Sequence, residues 1–162
     1  MAILGSWSGM RKYLEKEMLC KALKGRVRYH LTTHPNMDGF GYFQIFVDDQ
    51  PKMTFSMAHA ASQLYKEAGA GTDFWSNFRA QKDRAQEHQH FDDEDFAQAM
   101  RQYRAIPIAE ALNSVNSIVR MFAVLDRRVG KRMLHNLKNQ ITEQPAWLQF
   151  FYQLRLESEN II

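Results

Sequence analysis

Two groups of residues in this chain have types and spacings that could do chemistry. The first is cationic. Arg120, Arg127, Arg128, Lys131 and Lys138 fall within the run NSVNSIVRMFAVLDRRVGKRMLHNLK at Asn113–Lys138. Cations repeated along one helical face neutralise phosphates, which gives salt-sensitive binding to nucleic acid without base readout. The second group is His88, His90, Asp92 and Asp93, whose imidazoles and carboxylates are ligands that zinc or manganese takes. No HExxH, paired CxxC or other strong metal spacing accompanies it, and Asp92–Asp95 reads equally as the acidic first turn of a helix. The expectation is no cofactor, with a divalent metal at His88–Asp93 as the weaker alternative. His30 and His34 would share a strand face only if the strand ran on to Pro35, and the proline argues against that.

The cationic reading depends on one helix positioning these side chains. At about 100° per residue, Arg120, Arg127, Lys131 and Lys138 project about 180–220° from Ile118 if the helix is continuous. They then lie opposite an apolar stripe of Ile118, Phe122, Leu125, Val129 and Met133. The helix can break at Asp126 or Gly130, and a bend there destroys the shared face. Arg132 projects beside the stripe, where it would pair with a buried carboxylate. The commonest fate of such a face is solvation or internal pairing. Contact with nucleic acid ranks second, and contact with an acidic protein surface third.

Nucleophilic chemistry has little support. The chain has no G-x-S-x-G elbow, and Gly69-Ala70-Gly71 lacks the lysine and preceding strand of a phosphate loop. The single cysteine, Cys20, sits among Met18, Leu19 and Leu23, an apolar setting that raises a thiol pKa and suppresses reactivity.

The 162 residues are 45% hydrophobic and 24% charged, with 11 Phe, 6 Tyr and 3 Trp. This is a globular composition and enough for one domain. The expected domain is 1–162, with a helix and β-meander over 1–56 and a helical part over 57–162 on the same core. The net charge is +3 but uneven: acids dominate 83–95, and bases dominate 101–138. Such asymmetry can steer a polyanion to one side, or the two segments can pair with each other. No stretch approaches the apolar length that crosses a bilayer, and the start lacks the pattern of a signal peptide. The expectation is a cytoplasmic protein without a membrane partner.

The pattern predicts α+β. A first helix is expected over Ser8–Leu23, capped by Ser8 and closed by Gly25. Val27, Tyr29 and Leu31 alternate with Arg26, Arg28 and His30, a half-buried strand. Further strands are expected at Tyr42–Val47 and Lys52–Phe55, joined by Asp48-Asp49, to give a three-stranded antiparallel meander. Its outer face would show Arg26, Arg28, His30, Tyr42, Gln44 and Phe46. Cations and aromatics interleaved in this way can hold single-stranded nucleic acid, although covering by later helices is the favoured reading. Helices are then expected at Met57–Ala68, around Phe74, Trp75 and Phe78, after Asp92 or Asp93, along the basic run, and from Pro145. The last carries Trp147, Phe150, Phe151 and Leu154 at helical spacing. That face reads as core, with a homodimer or partner interface as the alternative.

Four segments carry a resemblance to a known family. They are SWSGMRKYLEKEMLCKALKGRVRY at Ser6–Tyr29, IFVDD at Ile45–Asp49, ALNSVNSIVRMFAVLDRRVGKRML at Ala111–Leu134, and QPAWLQFFYQLRLESE at Gln144–Glu159. Together they resemble a family of small uncharacterised proteins of Gram-positive gut bacteria and their mobile elements. The resemblance implies a bacterial, plasmid or phage setting and brings no catalytic residues with it.

The leading expectation is a non-enzymatic accessory protein that binds nucleic acid or a nucleoprotein machine, as a regulator or an inhibitor of host defence. Its site would be Arg120, Arg127, Arg128, Lys131 and Lys138. The alternatives are a metal-dependent hydrolase or nuclease using His88–Asp93, and a partner module acting through the aromatic C-terminal helix.

Overall fold

The computed structural model describes residues 5–33, 41–60, 62 and 90–162. Ser6 caps α1 (Trp7–Lys12), its hydroxyl accepting from the Gly9 N–H. The cap thus falls two residues before the expected Ser8. The helix widens into a π-helical turn at Tyr13–Met18 and stops short of Leu23. At Leu19 the chain turns extended and bridges to Asp126. The Cys20 N–H donates to the Leu125 oxygen at 2.9 Å and the Arg127 N–H to the Met18 oxygen at 2.7 Å. A 3₁₀ turn at Lys21–Leu23 and Gly25, at φ 83°, lead into the sheet.

The strands β1 (Val27–Thr33), β2 (Gly41–Val47) and β3 (Gln50–Ser56) form an antiparallel meander in the order β1-β2-β3. Asp48 and Asp49 take φ of 50° and 63°, the left-handed turn whose twist matches that of a hairpin. Arg26 grips the Asp48 carboxylate through two bonds of 2.8 Å. The Glu15 carboxylate accepts the Tyr29 N–H at 2.7 Å. A charged side chain therefore occupies part of the β1 edge, where another strand could otherwise pair. Val27, Tyr29, Phe43, Ile45, Val47 and Phe55 line the buried face.

Residues 57–60 are helical, while the expected helix around Phe74, Trp75 and Phe78 lies outside the described residues. Asp92 caps α2 (Asp93–Ala105) in a reciprocal box with Asp95. Phe96, Met100 and Tyr103 face the core as the spacing predicts, and Phe96 stacks on Phe43 at 4.2 Å. Pro107 starts a short helix that the sequence reading did not anticipate, α3 (Ile108–Leu112). The basic run is not one helix. Asn116 caps α4 (Ser117–Leu125), residues 126–130 form a loop, and α5 (Lys131–Lys138) follows. After a 3₁₀ turn at Ile141–Glu143 comes α6 (Ala146–Ser158), with Pro145 as N-cap.

The architecture is α+β: a helix, a three-stranded antiparallel sheet, then helices. One continuous apolar cluster joins the sheet to α1, α2, α4 and α6. Helix α4 is its centre, with seven buried residues from Ile118 to Leu125. Phe122 meets the rings of Tyr29, Phe96 and Tyr103. Phe151, Tyr152, Leu154 and Leu156 of α6 are buried, so most of the aromatic C-terminal helix is core. No helix among the described residues is long and apolar enough to cross a membrane.

Candidate nucleic-acid interface

The loop at 126–130 is held from both sides by a buried polar network. The Asp126 carboxylate is fully buried, and an isolated charge in that position is costly. Here it is satisfied. The Tyr103 hydroxyl donates to Oδ2, the Arg128 N–H donates to Oδ1 at 2.7 Å, and the Arg128 guanidinium donates to Oδ2 at 2.7 Å. Such a charged, forked pair is strong only when its remaining atoms are also bonded. From beneath, the buried Arg155 donates to the main-chain oxygens of Val124, Asp126 and Val129 at 2.8–2.9 Å. Its Nε lies 3.2 Å from Glu159.

The electrostatic consequences follow from the packing. Burial first, and then the charge of Asp126, pushes the Tyr103 hydroxyl far above its ordinary range. Hydrogen bonding to Asp126 also raises the Arg128 guanidinium above its ordinary range. A cavity of about 10 Å³ beside Tyr29, Tyr103 and Asp126 has room for about one water molecule and none for a substrate. Burial also raises the Cys20 thiol pKa, which keeps the sulfur protonated and inert.

The five expected cations separate into two classes. Arg120 is half-buried and spent internally: it donates to Gln144 at 3.0 Å and to the Ser114 oxygen at 2.7 Å. Arg128 is half-exposed but committed to Asp126, with its guanidinium 6.0 Å from the Tyr103 ring. Arg127, Lys131 and Lys138 are exposed and make no ion pair among the described residues. Arg132, expected beside the apolar stripe, is also exposed and unpaired there. With the run broken at 126–130, Arg132 no longer shares a helix with Ile118, Phe122 and Leu125. The shared face of a continuous helix does not exist. In its place, α5 and the loop before it carry four solvent-facing cations, with Leu134 and Leu137 buried behind them.

The other candidates fare differently. Asp92 and Asp95 shape the start of α2. Asp93 is partly buried, which raises its carboxyl pKa. His88 and His34 lie outside the described residues. Among the described residues no three His, Cys, Asp or Glu side chains gather closely enough to hold a metal. On the outer sheet face His30 packs against Phe46 at 4.5 Å, and His30, Tyr42, Gln44 and Phe46 are each half-buried. Such a face is less open than a stacking platform for single strands.

Sequence reasoning missed Arg155 and Tyr103, which position the loop. For Arg155 a signal existed: it is the lone cation in the apolar run WLQFFYQLRL, where a charge must find buried partners. Nothing local marks Tyr103, because its partner is 23 residues away.

A family model for the SF0329 protein family matches residues 6–156. Neither a curated protein nor a solved structure matches the chain. The match spans nearly the whole chain, which therefore belongs to the SF0329 protein family.

Proposed function

We propose that this member of the SF0329 protein family is a non-enzymatic accessory protein that binds nucleic acid, alone or within a nucleoprotein machine, through α5 and the loop before it. One observation carries the reading. Arg127, Lys131, Arg132 and Lys138 are unpaired among the described residues, and the loop that presents Arg127 is fixed by the buried Asp126 and Arg155 networks. Unpaired cations are suited to phosphates, because no internal ion pair has to be broken on binding, and the fixed loop backbone needs no further ordering. The setting we propose, a bacterial mobile element or phage in which the protein regulates or inhibits, rests on the sequence resemblance alone.

The test is the triple variant Arg127→Glu, Lys131→Glu, Lys138→Glu, with binding to fluorescent oligonucleotides read by anisotropy. Binding is expected to vanish while the far-ultraviolet circular dichroism spectrum stays the same. Three phosphate contacts also predict an affinity loss of about fortyfold between about 50 and about 200 mM salt in the unmodified protein. Undiminished binding by the triple variant overturns the reading.

A further inference from the structure

We infer that the nucleic acid engaged by α5 is B-form duplex DNA, with the helix entering the major groove; the inference rests on the nucleic-acid reading above. Helix α5 packs chiefly against α6 and buries only Leu134 and Leu137. Its other side is open. On a helical wheel Lys138, Lys131, His135, Asn139, Arg132 and Asn136 follow one another across an arc of about 160°. All six are exposed. The arc contains no carboxylate, and its one aromatic ring is the His135 imidazole.

Single strands are held by successive bases stacking on several aromatic side chains, whereas this arc supplies one ring, His135, and residues 126–130 supply none. A-form RNA closes its major groove to side chains, whereas the major groove of B-DNA, about 12 Å wide, admits a helix. Lys131 and Lys138 lie about 10.5 Å apart along the axis, a span that places their ammonium groups toward phosphates. Beside them on the arc, all on one side, sit His135, Asn139 and Arg132. Arginine and asparagine are the side chains whose paired hydrogen bonds match guanine and adenine edges in that groove. The arc thus places cations for the backbone at one margin and hydrogen-bonding groups for base edges toward its middle.

The experiment compares duplex DNA, duplex RNA and single-stranded DNA of equal length as anisotropy probes at low salt. Duplex DNA is expected to bind at least about tenfold tighter than the other two, and the variant Arg132→Ala, Asn139→Ala to lose most of that margin. Circular dichroism checks that the variant remains folded. Equal or tighter binding to duplex RNA or to single strands overturns the duplex-DNA inference and leaves the nucleic-acid reading standing. Absence of binding to all three overturns both.

Discussion

Arg155 is buried beneath Asp126, its Nη1 donating to the Asp126 main-chain oxygen at 2.8 Å while the Asp126 side chain faces Tyr103 and Arg128 on the other side. One residue therefore couples the C-terminal helix to the loop that presents Arg127. Replacing Arg155 with Leu leaves three carbonyl oxygens without that donor and should cost about 3–5 kcal/mol. Glu159→Gln, which removes the charge partner of Arg155 but keeps its three carbonyl contacts, should cost less. Urea denaturation of the two variants checks the ordering. Similar losses for both would mean that the carbonyl contacts are not what holds the loop.

Tyr103 supplies a pH dependence with a definite sign. Its hydroxyl and that of Tyr29 are both raised above the ordinary 10.0, chiefly by burial. As pH climbs, the unfolded chain releases these protons first. The stability contributed is whole below pH about 10 and is lost as pH rises beyond it. The urea midpoint should begin to fall near pH about 9, where the unfolded Cys20 thiol ionises, and fall more steeply above pH about 10. Tyr103→Phe should lower stability by about 1–3 kcal/mol at neutral pH, yet decline less steeply above pH about 10. An equal alkaline slope in the variant would refute the assignment.

Arg120 tests whether cations within the run can be spent on structure. Its bonds to Gln144 and to the Ser114 and Val115 oxygens fasten the loop before α4 to the chain before α6. Arg120→Ala should cost about 1–2 kcal/mol of stability. Oligonucleotide affinity of the folded variant should change less than about twofold, because no phosphate contact is removed. A large loss of affinity without a loss of stability would return Arg120 to the binding surface.

These roles divide along what a sequence can carry. Local periodicity revealed the meander, because Val27, Tyr29, Phe43, Ile45 and Val47 alternate and are buried. It revealed α2 and its acidic cap for the same reason. It could not place the end of α1, because Leu19 leaves helical geometry to bridge Asp126, more than a hundred residues later. It could not place the break between α4 and α5 either. Gly130 and Asp126 permit a break, but the bonds that impose it come from Tyr103, Arg128 and Arg155. The candidate site inherited that uncertainty. Lys131 and Lys138 share α5, whereas Arg120 and Arg128 bond to partners within the protein.

Arg127 and Arg128 make the sharpest comparison, being adjacent, identical and opposite in surroundings. Arg127 is exposed and unpaired among the described residues. Its loss should leave stability within about 0.5 kcal/mol of the parent. If it contacts one phosphate, Arg127→Ala also reduces the slope of log affinity against log salt by about 0.9. Arg128 closes the fork on a fully buried carboxylate. Its removal leaves Tyr103 as the only side-chain donor to Asp126 among the described residues, and should cost about 3 kcal/mol or more. Arg128→Ala should keep the parent salt slope at a temperature where it remains folded, since the lost group served the loop and not the ligand. Urea denaturation and a salt titration on the two variants give four numbers. Affinity lost in Arg128→Ala and stability lost in Arg127→Ala would reverse the assignment of the two arginines.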